Sequence, residues 1–183
     1  PESHEDFRFI NTNDMQIKSY LTSICEKAKE KDIDIDNFQV LIPMYKGENG
    51  IDNINKIMQD IFNPETLGKT EIILNNTLYR EGDKVLQLVN DVDSNIYNGD
   101  VGYIKRIVNG KTPLVQITYN TNTVTYTKGK FDEFTLSYAV SVHKSQGSEY
   151  DNVILVIPSN MKRMLYNKLV YTAVTRAKKS LII

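Results

Sequence analysis

The stretch LSYAVSVHKSQGSE, residues 136–149, decides the fold class of this chain. Its first seven residues, 136–142, are mostly apolar or aromatic and predict a buried strand. The remaining residues are polar and predict a loop that follows the strand. Because ligands bind in the loops that follow strands of open α/β sheets, the stretch predicts a parallel sheet with a polar site at its edge.

The flanking segments alternate between helix and strand. Upstream, apolar spacing predicts a helix over about 14–31 and a second over 51–61, with a buried strand at 38–43 between them. Downstream, the pattern predicts a strand at 153–158, a helix over 161–177 and a last strand from 180. This alternation is typical of a parallel sheet with crossover helices, and it predicts an α/β fold.

The middle of the chain has a different pattern. Residues 84–89, 100–108, 114–119 and 123–127 are short strand-like runs, and Asn109-Gly110 is a strong hairpin signal. They predict a small antiparallel barrel inserted into the α/β domain. The predicted organisation is therefore a first α/β part at 1–77, an insert at 78–136 and a second α/β part at 137–183.

Composition excludes several classes of protein. The chain has 183 residues, 40% hydrophobic and 25% charged, which is ordinary for a soluble globular domain and excludes collagen-like and disordered chains. The net charge of -1 argues against a nucleic-acid binder recognised by bulk charge. Residues 152–183, however, hold six Lys/Arg and no acid. They indicate either a solvated helix face or an anionic ligand nearby.

Single residues narrow the function further. Cys25 is the one cysteine, on a helical apolar face that predicts a buried thiol, and only His4 and His143 are histidines, so no metal site is expected. No apolar run is long enough to span a membrane and no signal peptide opens the chain, so a cytoplasmic protein is expected. The ends of the sequence predict a fragment of a longer protein.

Two polar segments carry groups suited to anionic ligands. Residues 141–149 bring hydroxyl, imidazole and ammonium donors of the kind that bind phosphate oxygens. The structural alternative is a capping loop with Ser145 as N-cap. Residues 171–179 contain Arg176, whose fork suits a phosphoryl group, whereas the structural alternative is a favourable contact with a helix dipole.

In their order and spacing, the two segments resemble the last motifs of superfamily-one helicases, nucleic-acid motors built on two RecA-like domains. The pattern Ser-x-His-x-x-Gln-Gly-x-Glu at 141–149 resembles motif V, and Tyr-x-x-x-Thr-Arg-Ala at 171–177 resembles motif VI. The run Pro-Met-Tyr-Lys-Gly at 43–47, with 50–52 and Asn55, is similar to the opening of the second motor domain of RecD-like helicases. Residues 82–85 and 98–102 are similar to the SH3-like barrel inserted there.

This resemblance covers the chain from about residue 38 and implies a RecA-like (P-loop NTPase-like) second motor domain with a mainly parallel sheet. It implies that Arg176 reaches the γ-phosphate of ATP. Gly147 and Glu149 match positions near the nucleotide, and Gln146 matches one between nucleotide and DNA. The implied single-stranded DNA contacts are Ser141, His143 and Lys144.

The resemblance also implies cofactors and partners. The cofactor is ATP with magnesium, and the partners are single-stranded DNA, along which family members move 5′ to 3′, and the N-terminal motor domain of the same protein. In one branch of the family, which acts in DNA repair and recombination, exonuclease subunits are further partners. No Gly-x-x-x-x-Gly-Lys-Ser/Thr motif is present. The look-alike at 67–70 lacks the earlier glycine and precedes a predicted strand. This chain alone is therefore expected to be inactive.

Two other functions stay open at this point. The barrel is a candidate docking module for nucleic acid or protein, with Tyr97 or Tyr103 stacking on bases and no ATPase function. Packing within the barrel is the structural alternative for either tyrosine. The third possibility is an α/β domain without a ligand.

Overall fold

A computed structural model of the chain describes residues 6–120, 122–145, 147–157, 159 and 163–183. The chain forms two compact units, one from the segments up to Phe62 and from Tyr138 onward, the other from Asn63–Ser137. The first unit begins with β1 (Phe7–Arg8), α1 (Asp14–Glu30), β2 (Phe38–Leu41) and α2 (Ile51–Phe62). The second contains β3 (Glu71–Leu74), β4 (Thr77–Arg80), β5 (Lys84–Gln87), β6 (Val101–Val108), β7 (Leu114–Tyr119), β8 (Asn122–Thr127) and β9 (Phe134–Leu136). The first unit is completed by β10 (Ala139–Val140), β11 (Tyr150–Leu155), α3 (Arg163–Val174) and β12 (Ala177–Ile182).

A five-stranded sheet with the order β1-β12-β11-β2-β10 forms the centre of the first unit. Every neighbouring pair in it is parallel. All four residues of β2 are buried, as expected for a strand in the middle of a parallel sheet. The predicted α/β fold with a mainly parallel sheet is confirmed.

The two upstream helices begin where the sequence predicts them. Asn13 caps α1, and its side-chain oxygen accepts a hydrogen bond of 3.1 Å from the backbone N–H of Gln16. Cys25 is fully buried on the inner face of α1, as predicted. Ile24, which the pattern places on the same inner face, is only half-buried.

One buried side chain joins α2 to the edge strand β10. The Asn55 amide donates to the Ala139 carbonyl at 2.9 Å, and its oxygen accepts from the Ala139 N–H at 2.8 Å. Both backbone groups of Ala139 are thereby satisfied at a buried position, where an unpaired group would cost free energy. At the end of α2, the ring of Phe62 stacks on that of Tyr138, with centroids 6.4 Å apart and planes 12° apart.

The second unit is antiparallel throughout its described strands. Its main sheet has the order β8-β7-β6-β5-β9, and β3 and β4 form a separate hairpin. The sheet buries apolar residues from several strands together with the hydroxyls of Tyr119 and Tyr126, which lie 3.0 and 2.7 Å from the Gln87 side-chain oxygen. The predicted hairpin pattern is therefore present.

The border of the insert differs from the predicted one between residues 77 and 78. The second unit begins at Asn63, because the β3–β4 hairpin belongs to it. The buried Asp83 carboxylate accepts 2.7 Å and 2.6 Å bonds from the Asn63 amide and the Arg80 backbone N–H. Arg80 also pairs with Glu71 at 2.5 Å. These bonds hold the segment before residue 78 within the unit.

The predicted strand at 136–142 is divided between the two units. The Ser137 N–H donates to the Lys84 carbonyl at 3.0 Å, whereas the neighbouring Tyr138 carbonyl accepts from the Val40 N–H at 3.4 Å. The apolar run therefore contains the end of β9 and all of β10. The strand predicted at 153–158 starts earlier, at Tyr150, and the helix predicted over 161–177 is observed as Arg163–Val174.

Candidate functional site

The loop between β10 and β11 runs from the side of the sheet where the strands end, here called the carboxyl edge, to the side where they begin, the amino edge. Val140 pairs with Leu41 at the carboxyl end of β2, so Ser141 leaves the sheet at that edge. Asn152 pairs with Phe38 at the amino end of β2, and β11 begins two residues earlier. The loop at 141–149 thus starts at the carboxyl edge and ends at the amino edge. The structure divides the predicted site between two edges of one sheet.

The carboxyl edge carries the three predicted DNA contacts. Ser141 is buried, and its carbonyl and hydroxyl oxygens accept from the Lys144 N–H at 2.9 and 3.3 Å. The fully buried Ser145 donates its hydroxyl to the Val142 carbonyl at 2.7 Å. These bonds form a tight turn that leaves His143 exposed and Lys144 half-buried. Ser145 closes this turn, and no helix follows it in the described part of the loop.

The amino edge holds Arg176 in the short connection between α3 and β12. Its Nη1 donates to the Ser148 carbonyl at 3.0 Å, and its Nε and Nη2 lie 3.4 Å from the Thr175 hydroxyl oxygen. The Arg176 carbonyl in turn accepts from the Tyr150 N–H at 2.8 Å. The end of the loop at 141–149 and the segment around Arg176 therefore form one hydrogen-bonded unit.

The acidic residue at this edge is accessible to a ligand. Glu149 forms an ion pair with Lys178 at 3.2 Å, and both side chains are more than half exposed, at 57% and 54%. Exposed pairs of this kind contribute about 0–1 kcal/mol, so a ligand hydroxyl can replace Lys178 at little cost.

Gly147 has a left-handed backbone with a φ of 88°, and a Cβ placed there would meet no atom within 4 Å. The glycine is favoured by its backbone conformation, and the space beside it is open. Gln146, the other predicted contact between nucleotide and DNA, lies outside the described residues.

Sequence reasoning missed Tyr150, the first residue of β11. Its side chain is buried, and burial raises the pKa of the phenol above its usual range, while a hydrogen bond with Ser148 and the charge of Arg176 act in the opposite direction. A large aromatic residue directly after motif V was the available signal. The phenol therefore stays neutral at physiological pH, next to Ser148 and Arg176.

The two tyrosines proposed for the barrel differ in accessibility. Tyr97 is 45% exposed and donates its hydroxyl to the Asn95 side chain at 3.1 Å. Tyr103 is half-buried within β6, between β5 and β7. Tyr97 is therefore the better placed of the two for contact with a ligand.

The look-alike of a phosphate-binding loop at 67–70 is a structural turn. Thr70 is followed directly by β3, as predicted, and not by a helix. The Lys69 ammonium lies 2.5 Å from the Asn63 side-chain oxygen and 3.0 Å from the Pro64 carbonyl. In a phosphate-binding loop this lysine would face the phosphates of the nucleotide.

The described residues offer neither a metal site nor a membrane-spanning helix. In that part of the chain, no group of three or more His, Cys, Asp or Glu side chains is arranged to hold a metal ion. Nor does it contain a helix with the length and apolarity needed to cross a bilayer.

Two family models match the chain. The ATP-dependent RecD-like DNA helicase SH3 domain matches residues 54–119, and the UvrD-like helicase C-terminal domain matches residues 136–183. The first match starts within α2 and covers β3 to β7, so it supports the assignment of the antiparallel unit as an SH3-like barrel. The second begins at Leu136, the last residue of β9, and covers β10, β11 and β12 of the parallel sheet.

Curated relatives agree with both models. The chain is 36% identical over 140 residues to the ATP-dependent RecD2 DNA helicase of Deinococcus radiodurans. The matched stretch covers 76% of this chain and 19% of that protein. It is 28% identical over 175 residues to the RecBCD enzyme subunit RecD of Buchnera aphidicola subsp. Schizaphis graminum, covering 94% of this chain and 28% of that protein. The chain therefore spans less than a third of the length of either relative.

Solved structures of Pif1 helicases have a similar fold. One, studied for unwinding at forked double-stranded DNA, has a TM-score of 0.53 over 88% of this chain and 42% of that one. Another, from Bacteroides in complex with ADP-AlF3 and single-stranded DNA, has a TM-score of 0.52 over 91% of this chain and 45% of that one. Both are 18% identical and show the fold. With an SH3-like insert between the two parts of a parallel α/β unit, and with its two motifs in order after that insert, the chain belongs to the RecD-like superfamily-one DNA helicases, as a C-terminal region.

Proposed function

We propose that this chain is the C-terminal half of an ATP-dependent DNA helicase that moves 5′ to 3′, and that it supplies an arginine to the nucleotide and part of the surface that holds single-stranded DNA. The hydrogen bond between Arg176 and the Ser148 carbonyl carries the proposal. It joins motif VI to the end of motif V, whose other end lies at the opposite edge of the sheet. The name of the Deinococcus relative supports the same activity.

The amino edge is the proposed nucleotide edge. Arg176 would stabilise the charge that develops on the γ-phosphoryl group, as its planar fork allows. Glu149 would accept from ribose hydroxyls once Lys178 is displaced, and the open backbone at Gly147 would lie against the nucleotide. ATP supplies the phosphoanhydride bond whose hydrolysis drives movement. Gln146 belongs to the proposal as the residue between nucleotide and DNA.

The carboxyl edge is the proposed DNA edge. The exposed imidazole of His143 and the ammonium of Lys144 would contact phosphates, with the turn around Ser141 holding them in place. One loop of nine residues joins the two edges. A shift of Ser148 and Arg176 on nucleotide binding would therefore change the position of His143, and the two states would differ in DNA affinity.

The remaining parts of the motor are proposed to lie in the N-terminal motor domain of the same protein. The look-alike at 67–70 is a structural turn, and the described residues hold no cluster of metal ligands. The phosphate-binding loop and the magnesium ligands would therefore come from that domain, and this chain alone would not hydrolyse ATP. Because the Buchnera relative is named as a RecBCD subunit, exonuclease subunits are proposed as further partners. The cytoplasm is proposed as the location.

The test is DNA-stimulated ATP hydrolysis by the full-length protein, comparing wild type with Arg176→Ala. We expect kcat to fall by about 10³-fold or more, the range for an arginine that contacts a transferred phosphoryl group. Arg106→Ala is the matched control, since Arg106 is an exposed arginine of β6 in the barrel. Unchanged hydrolysis by Arg176→Ala would overturn the nucleotide assignment.

A second function, docking through the barrel without ATPase activity, is favoured by the exposure of Tyr97 alone. It predicts that Tyr97→Ala weakens the binding of nucleic acid or protein to the barrel, while Arg176→Ala leaves that binding unchanged. The same set of variants therefore distinguishes the two functions.

A further inference from the structure

The segment at 43–50 contains the sequence Pro-Met-Tyr-Lys-Gly, and the fold accounts for only part of it. A Cβ on Gly50 would lie 2.5 Å from the Tyr45 carbonyl oxygen and 2.6 Å from the Lys46 carbonyl carbon. Gly50 is therefore required because the loop folds back on itself at this point. Tyr45 and Lys46 have no such structural role, since both side chains are exposed.

The backbone beneath these two side chains is held firmly. The Gly50 N–H donates to the Gly47 carbonyl at 3.0 Å, and the Ile51 N–H donates to the Met44 carbonyl at 3.0 Å. The Asp52 N–H donates to the Tyr45 carbonyl at 3.3 Å. The loop is thus fixed to the start of α2, so a ligand that binds a ring displayed on it does not have to order the backbone beneath that ring.

Tyr45 and Lys46 are displayed rather than packed. The Tyr45 side chain is 55% exposed, and among the residues described neither side chain is bonded to another group. An aromatic residue and a cationic residue in succession, on a loop held by its own hydrogen bonds, are suited to a ligand that offers both a flat apolar face and a negative charge.

Strand order places this loop at the proposed DNA edge. β2 and β10 are neighbouring parallel strands, and the Ile42 N–H donates to the Val140 carbonyl at 3.0 Å. The loops that follow the two strands therefore leave the sheet at the same edge. One carries Tyr45 and Lys46, and the other carries His143.

We infer that Tyr45 and Lys46 extend the DNA surface beyond His143, with Tyr45 stacking on an unpaired base and Lys46 contacting a phosphate. The inference rests on the proposed function, since it needs single-stranded DNA at the carboxyl edge. Stacking selects single strands, because the faces of bases in a duplex are already covered. It also explains how a chain with a net charge of -1 binds a polyanion: part of the affinity comes from a neutral ring.

The test measures binding of fluorescein-labelled oligo(dT) to the full-length protein without nucleotide, by fluorescence anisotropy. Tyr45→Ala should weaken binding about tenfold, the loss of one stacked base, and Tyr45→Phe should bind like wild type. With an abasic strand of equal length, Tyr45→Ala and wild type should bind alike. Lys46→Ala should lower the slope of log affinity against log salt by about 0.7, the loss of one single-strand phosphate contact.

The control variants are Tyr20→Ala and Lys18→Ala, which remove an exposed tyrosine and an exposed lysine from α1. Both should bind oligo(dT) like wild type. If His143→Ala weakens binding and Tyr45→Ala does not, the surface exists without Tyr45 and the inference is wrong. If neither variant changes binding, the DNA edge of the proposed function is itself wrong.

Discussion

The guanidinium of Arg176 donates a 3.0 Å hydrogen bond to the backbone carbonyl of Ser148. The two residues are 28 positions apart, and the bond joins the connection between α3 and β12 to the end of the loop before β11. A ligand that draws Arg176 away from Ser148 therefore acts directly on this loop.

Thr175 should act as a positioning residue for Arg176. Its hydroxyl lies 3.4 Å from both Nε and Nη2 of Arg176 and itself donates to the Thr172 carbonyl at 2.8 Å. We expect Thr175→Val in the full-length protein to lower kcat for ATP about three- to tenfold, the equivalent of one modest hydrogen bond, with KM changed less. Thr175→Ser keeps the hydroxyl and should have the kcat of wild type. An equal loss of kcat in both variants would contradict the role of the hydroxyl.

His143→Ala should separate DNA binding from the basal ATPase. The imidazole is exposed at the carboxyl edge, whereas Arg176 lies at the amino edge, by the other ends of the strands. We expect weaker single-strand binding, or hydrolysis that DNA no longer stimulates, with the rate without DNA unchanged. Steady-state assays with and without oligo(dT) measure both quantities. DNA stimulation equal to that of wild type would rule out contact at His143.

Asn55→Leu should destabilise the parallel unit. The substitution leaves the buried N–H and carbonyl of Ala139 without their side-chain partner, which we expect to cost about 2–4 kcal/mol in the free energy of unfolding. Urea denaturation followed by circular dichroism measures the loss. The control is Asn53→Ala on the same helix, whose exposed amide donates to the Glu48 carbonyl. We expect that control to lose much less; similar losses would contradict the bridging role of Asn55.

Three buried tyrosines should make the fold sensitive to alkaline pH. Burial raises the pKa of the phenols of Tyr119, Tyr126 and Tyr150 above the ordinary value of 10.0. The folded state therefore binds these protons more tightly than the unfolded state. Their contribution to stability is complete below pH 10 and is lost as the pH rises through the folded pKa values.

Absorbance at 295 nm, which reports tyrosinate, measures this effect. At pH 11 the folded chain should show a smaller increase than the same chain in urea. Tyr119→Phe and Tyr126→Phe together should reduce the difference between the two states. An equal increase in folded and unfolded chains would contradict the burial of these phenols.

Periodicity in the sequence was sufficient to predict most helices and strands of the parallel unit, but not β1 or the division of the strand at 136–142. The capping Asn13, the buried run around Val40 and the apolar face of α2 all fall where the pattern places them. Local sequence did not reveal where the insert begins, because the β3–β4 hairpin has a turn at Asn75 and Asn76 instead of an Asn-Gly pair. Both asparagines adopt positive φ, at 48° and 66°, a conformation that asparagine tolerates better than most residues.

The candidate site was predictable as a set of residue types but not as an arrangement. The motif at 141–149 appears in the sequence as one polar loop. Only the pairing of Val140 with Leu41 and of Asn152 with Phe38 shows that its ends lie at opposite edges of the sheet. Strand register depends on contacts between distant parts of the chain, so no local pattern indicates it.

The stacked rings of Phe62 and Tyr138 mark the points where the chain leaves the parallel unit and returns to it. Their ring centroids lie 6.4 Å apart, so the chain leaves the parallel unit close to where it returns. The 75 residues from Asn63 to Ser137 thus form a cassette with its entry and exit side by side. Such a cassette can be deleted, or exchanged for that of a relative, while the strand order of the parallel sheet stays as it is.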